Sequence, residues 1–164
     1  LRRSLESMTL LSTAMELVGQ VVHTHEPDPA VFQVAAHFLD WLDQADPAPF
    51  HAFPALQIRL ADAMGIGIQV QEPAAPPVQA GYADRWLDPA SGTLSAEQPG
   101  GIRLSEAQYA FIRLIAEGRG KRALRSGLPS GELKSLIHHL DSYLDYHIDG
   151  MRPRRSDRIF GDLL

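Results

Sequence analysis

The stretch from Leu133 to Gly150 constrains the fold more than any other part of the chain. Leu133, Ile137, Leu140, Leu144 and Ile148 recur every three or four residues, the period of a helix with one buried face. A helix near residues 131–148 follows, closed by Gly150. A face of that kind must be covered by other elements, and the rest of the chain supplies them. Met8, Leu11, Met15, Val18 and Val22 mark a first helix with an inward stripe. Asp28-Pro29 starts a second, an acceptor side chain followed by a residue whose φ is already helical. That helix is expected to bury Val31, Phe32, Ala35, Phe38, Leu39 and Leu42 and to stop near Asp46-Pro47. Pro49 opens a third, with Phe53, Leu56, Leu60 and Met64 inward and Gly65 at its end. Short loops make these three antiparallel neighbours. Ser105 and Gln108 form a capping box ahead of Tyr109, Ile112 and Ile115, and Gly118 ends that fourth helix. Arg119 to Gly127 is a basic connector with room for one helical turn, and Ser156 is expected to cap a last short helix through Ile159, Phe160 and Leu163.

Residues 67–103 break the helical pattern. Pro73, Pro76 and Pro77 among alanines read as a linker. Ala83–Asp88 and Thr93–Glu97 flank Pro89-Ala-Ser-Gly92, the spacing of a short hairpin that must pack on the helices to be stable. The expected fold is mostly α: an antiparallel domain of five to six helices over residues 1–164, with a small β insertion at 67–103. The complete lack of cysteine excludes disulfides, thiolate zinc sites and a cysteine nucleophile. With no signal-peptide pattern and no long apolar run, the chain is expected to be soluble and cytoplasmic, without a membrane partner. It begins at Leu1 rather than Met, as a piece of a longer protein would.

Histidines come first among residues with chemistry to offer. His23 and His25, with Glu26 and Asp28, sit at a helix end with a spacing that suits metal poorly. His138, His139, Asp141 and His147 invite comparison with metal-dependent hydrolases. Yet helical geometry puts His139, Tyr143 and His147 on one stripe and Asp141 elsewhere, so packing is the better reading. No Gly-x-Ser-x-Gly elbow occurs, and Gly118-Arg119-Gly120-Lys121 lacks the spacing of a phosphate loop. No catalytic residue, cofactor or metal is expected.

Charge is the better signal. Residues 1–118 carry six basic against fourteen acidic side chains, a net −8, while residues 119–164 carry nine against six, a net +3. Arg119, Lys121, Arg122 and Arg125 precede the long helix; Arg152, Arg154, Arg155 and Arg158 follow it. Thirteen of the fifteen basic residues are Arg, whose planar fork grips phosphates and carboxylates two bonds at a time. Either cluster suits the phosphates of a nucleic acid or the carboxylates of an acidic peptide, and the residues alone leave that choice open. The candidate site is therefore Arg122, Arg125, Arg152, Arg154, Arg155 and Arg158, beside an apolar groove of Tyr143, Ile159 and Phe160. Removing Arg154 and Arg155 together is expected to weaken binding while hardly lowering the melting temperature.

The order of these features resembles the C-terminal helical region of the RecO family, bacterial mediators of recombination and DNA repair. The resemblance rests on His-Glu-Pro-Asp-Pro-Ala-Val-Phe at 25–32, Phe-Leu-Asp-Trp-Leu-Asp at 38–43 and Phe-Pro-Ala-Leu-Gln-Ile-Arg-Leu-Ala-Asp-Ala-Met-Gly-Ile at 53–66. The closing stretch adds Tyr143, His147, Gly150 and Arg155-Ser156. Many members carry a four-cysteine zinc site where residues 70–100 fall; this chain, with none, is similar to the cysteine-free branch. The family's N-terminal OB-fold has no counterpart in these residues. What the resemblance implies is a non-enzymatic DNA repair and recombination mediator. It would bind single- and double-stranded DNA mainly through the OB-fold, act with RecR and help load RecA. It would also engage the acidic tail of single-stranded DNA-binding protein, through arginines and an apolar groove of the helical region. Two other readings stand beside it: a helical adaptor that ignores nucleic acid, and a metal-dependent hydrolase using the histidines.

Overall fold

In a computed structural model, residues 5–22, 28–45, 49–71, 85–95 and 101–164 are described. Seven helices and four short strands occur among them: α1 (Leu5–Val21), α2 (Pro29–Gln44), α3 (Ala52–Ala63), β1 (Gln69–Val70), β2 (Arg85–Leu87), β3 (Thr93–Ser95), β4 (Ile102–Leu104), α4 (Glu106–Ala116), α5 (Gly120–Ser126), α6 (Ser130–His147) and α7 (Asp157–Leu163). The mostly helical fold with a small β insertion is thus as expected. The helices outnumber the expected five to six because the basic connector after Gly118 forms α5, a helix of seven residues. The His23, His25 and Glu26 group, the Asp46-Pro47 stop, the Pro73, Pro76 and Pro77 linker and the outer ends of the hairpin lie outside the described residues.

Helix α3 is the centre of the fold, packing against α1, α2, α4 and α6. Its residues are buried on nearly every side: Phe53, Leu56, Ile58 and Leu60 are apolar, and Gln57 is polar. Each of those apolar side chains contributes about 1.5–3 kcal/mol of transfer free energy. Pro54 costs nothing because the first turn of a helix needs no N–H from it. Asp28 caps α2 as expected, its Oδ1 accepting from the N–H groups of Ala30 at 2.9 Å and Val31 at 3.1 Å. At α4 the capping box forms in full, Gln108 N–H donating to Ser105 Oγ and Ser105 N–H to Gln108 Oε1.

Two helices turn differently from the sequence expectation. Helix α1 buries Thr9, Leu10, Thr13, Ala14 and Leu17, not the stripe through Met8, Leu11 and Met15. Thr13 hides in that apolar face because its hydroxyl donates to the Thr9 carbonyl at 2.9 Å, so no polar atom is left unpaired there. Helix α2 buries Val31, Ala35, Phe38 and Leu42 but leaves Phe32 and Leu39 exposed.

The insertion is larger than one hairpin. Strands β2 and β3 pair antiparallel with Leu87 opposite Leu94; β4 joins β2 antiparallel, and β1 joins β3 in parallel, giving the order β1-β3-β2-β4. Tyr143 of α6 pins this sheet to the helices. Its hydroxyl donates to the Ile66 carbonyl at 2.6 Å, just ahead of β1. Gly92, at φ 68°, lets the turn into β3 approach that hydroxyl: a Cβ there would stand 2.7 Å from it. Burial, with Asp88 nearby, pushes the Tyr143 phenol up from its ordinary value, which keeps the donor proton in place. Tyr143→Phe leaves the Ile66 carbonyl without its donor and is expected to cost about 1–3 kcal/mol. Urea denaturation checks this, and an unchanged midpoint would show that the bond adds nothing.

Candidate anion-binding and docking site

After α6, Gly150 at φ 80° takes the left-handed conformation and the chain turns back over the helices. Residues 151–156 then form a strap over α1. Gln20 Oε1 accepts the Arg152 N–H at 2.8 Å, and Glu16 Oε2 accepts the Arg155 N–H at 2.6 Å. With the main chain held this way, the side chains of Arg152, Arg155 and Arg158 are exposed.

Arg154 goes the other way. Its side chain is 4% exposed and makes a bidentate pair with Asp141, 2.6 Å at each nitrogen. Its Nε donates to Asp157 at 2.7 Å, and its guanidinium lies 4.9 Å from the centre of the Phe53 ring. Gln57 completes the network by donating to Asp141 Oδ1 at 2.7 Å and to the Ile137 carbonyl at 3.3 Å. Burial opposes the Arg154 charge, but the hydrogen bonds and charges of Asp141 and Asp157 outweigh it and raise its pKa. This arginine has its partners inside the fold, which separates it from the neighbours it was grouped with. The same network argues against the expectation that replacing Arg154 and Arg155 together hardly lowers the melting temperature. Asp157 accepts the Arg154 N–H at 3.0 Å, while Ser156, expected to cap α7, makes no side-chain capping bond.

The expected apolar groove is not assembled from Tyr143, Ile159 and Phe160. Tyr143 is buried under the sheet, Phe160 is buried edge-on against Phe50 and Phe53, and Ile159 is exposed. A different groove, of about 260 Å³, opens between α2, α3 and α5. Val34, Phe38 and Trp41 form one wall, Ala52, Ala55 and Leu56 the floor, and Leu124 the other wall, with His37 and Arg59 among its lining. Leu124 belongs to α5, where exposed Lys121 and Arg125 lie three residues before it and one after it. Those two are four residues apart and share one face of the helix. Arg122 is exposed as well, and Arg119 pairs with Glu117 at 3.4 Å. The sequence reading missed this groove, although Val34, Phe38 and Trp41, at helical spacing, were the available signal. The earlier arginine cluster thus borders an apolar groove, and the later one lies along α1.

Among the described histidines, His139, His147 and His51 serve separate local contacts. His139 Nε2 is 3.0 Å from Ser135 Oγ, and burial, aided by electrostatic coupling to neighbouring His138, holds its pKa below the ordinary value. The His147 ring sits edge-on to Tyr143 and Tyr146. His51 Nε2 accepts the Leu128 N–H at 2.7 Å. Among the described residues no group of three or more His, Cys, Asp or Glu side chains is arranged to hold a metal ion. Among them, too, no helix is long and apolar enough to cross a membrane.

Comparison with known proteins identifies the fold's lineage. The family model described as "Recombination protein O C terminal" matches residues 2–157. The chain belongs to the RecO family. A curated relative, the DNA repair protein RecO of Salinibacter ruber, is 24% identical over 168 residues, covering 99% of this chain and 63% of the relative. The RecO chain described here therefore spans somewhat less than two thirds of that relative's length. No solved structure matches it.

Proposed function

We propose that residues 1–164 are the helical interaction module of a DNA repair and recombination mediator that works in the cytoplasm without a catalytic step. In this reading the α2–α3–α5 groove takes the aromatic end of an acidic peptide, the tail of single-stranded DNA-binding protein. The observation that carries it is the pairing of apolar walls, Phe38, Trp41 and Leu124, with cations: Arg59 in the lining and Lys121 and Arg125 beside it. A peptide of that kind presents one ring and several carboxylates, which such a site matches by burial and by charge-assisted hydrogen bonds. Arg152, Arg155 and Arg158 form a second exposed set, assigned to phosphate contacts with single- or double-stranded DNA. The main DNA contacts are assigned to the family's OB-fold. Co-operation with RecR and help in loading RecA complete the proposed role. Family membership supports the repair role, and the groove supports the peptide.

The test uses two fluorescent probes, an acidic peptide ending in phenylalanine and a single-stranded oligonucleotide, at low and moderate salt. Arg59→Ala is expected to weaken peptide binding about 10–100-fold, the worth of one charged hydrogen-bonded contact, with little effect on the oligonucleotide. The pair Arg152→Ala and Arg155→Ala is expected to do the reverse and to flatten the salt dependence. Peptide affinity indifferent to both Arg59→Ala and Leu124→Ala would remove the groove from the account. Peptide binding with no oligonucleotide binding at either salt would remove the strap arginines from the DNA contacts and leave those to the OB-fold.

A further inference from the structure

We infer that His51 positions the α5 wall of the apolar groove, and that protonation of its ring releases that wall. This regulation presupposes that the groove is the peptide site. His51 stands just ahead of α3, and its ring lies beside buried Phe111 of α4, the ring centres 6.3 Å apart. Its Nε2 faces both polar groups of one residue far along the chain, the Leu128 N–H at 2.7 Å and the Leu128 carbonyl oxygen at 3.1 Å. A bare ring nitrogen accepts from the N–H. A protonated one can only donate, so it turns to the carbonyl, and its hydrogen then crowds the Leu128 amide hydrogen. The two charge states of the ring therefore call for two placements of Leu128.

A shift at Leu128 reaches the groove. Leu128 is buried in the connector between α5 and α6, behind the left-handed turn at Gly127, φ 65°. Leu124, four residues earlier on α5, is the groove wall. Helix α5 has seven residues, of which Ala123 is the buried one, and a helix that short does not hold its place by its own hydrogen bonds. Its C-terminal end is fixed through the connector, and His51 is the side chain that grips the connector. Charged groups on the elements packed around the ring have other engagements. On α4, Glu106 faces Arg85, and Arg113 pairs with Glu117. Lys121, Arg122 and Arg125 of α5 and Lys134 of α6 are exposed, and Glu132 accepts the Ser105 hydroxyl proton. The sign of the effect is distinctive. Arginines keep their charge in mild acid while His37, in the groove lining, gains one, so charge alone predicts tighter binding of an acidic peptide. Release of the α5 wall predicts the reverse.

The test takes two readings on the whole chain at about pH 7.5 and about pH 5.5, near the ends of the imidazole range. One is affinity for the acidic peptide ending in phenylalanine; the other is amide hydrogen exchange of residues 120–128, corrected for the intrinsic effect of pH. In acid the parent is expected to bind the peptide about three- to ten-fold more weakly, the worth of one hydrogen bond, and to exchange faster over residues 120–128. His51→Gln offers an amide oxygen at a similar reach and does not titrate. It should match the parent at the higher pH and lose both acid effects, whereas His37→Gln should keep them. Parent affinity that is unchanged or tighter in acid overturns the control by His51, and so does a His51→Gln variant that weakens as the parent does. A parent that binds no peptide at either pH removes the groove as peptide site and leaves exchange to decide: acceleration in the parent but not in His51→Gln upholds the latch, and equal exchange at both pH values removes it. The parent's own readings stand even where the variant does not fold.

Discussion

Arg154→Ala is expected to destabilise the fold by about 3–5 kcal/mol, the cost of breaking a buried ion pair from one side. The substitution strands the Asp141 carboxylate, which receives both guanidinium nitrogens, and takes from Asp157 the Nε bond at 2.7 Å. It also empties the space over the Phe53 ring. Arg155→Ala, one residue on, removes only an exposed side chain and should shift the midpoint by less than about 0.5 kcal/mol. Chemical denaturation of the two single variants makes the comparison. Equal midpoints would mean that the network does not hold the C-terminal segment. Replacing Arg154 and its carboxylates together by apolar residues is a different experiment, and it need not destabilise, because the desolvation cost of the ions disappears with them.

Phe160→Ala should cost a similar amount, about 3–5 kcal/mol, by leaving a cavity where a buried ring was. Phe160 is 3% exposed and meets Phe50 at 5.3 Å and Phe53 at 5.2 Å, both edge-on, so α7 is fastened by aromatic contacts as well as by burial. Phe53 is shared, since its ring also underlies Arg154. The two losses should therefore not add: Arg154→Ala with Phe160→Ala is expected to cost less than the sum, because either one already loosens α7. Calorimetry of the single and double variants settles this, and strict additivity would show that the ion pair and the aromatic cluster act independently.

Much of this architecture was written in short-range chemistry. The Asp28-Pro29 start, the Ser105 and Gln108 box and the inward residues of α3 and α6 follow from caps and periodicity. Helix α1 shows where periodicity runs out. It carries two apolar stripes, and the one that is buried includes two threonines, so hydrophobicity alone points to the wrong side. Strands β1 and β4 escape notice because two or three residues are too few to show alternation. For the site, the sequence locates the basic clusters but not the orientation of each member. Four arginines within seven residues look alike in one dimension; Asp157, three after Arg154, is the only local hint of the one that turns inward. Asp141 is distant enough in sequence that only the turn at Gly150 brings it into play.

The strap is gripped by Gln20 and Glu16 through the amides of positions 152 and 155, groups that every residue except proline possesses. Attachment at those two points is thus blind to side-chain identity. A chain built this way can exchange the outward groups at 152 and 155 to suit a different ligand, or drop their charge altogether, while the path of the backbone beneath them stays the same.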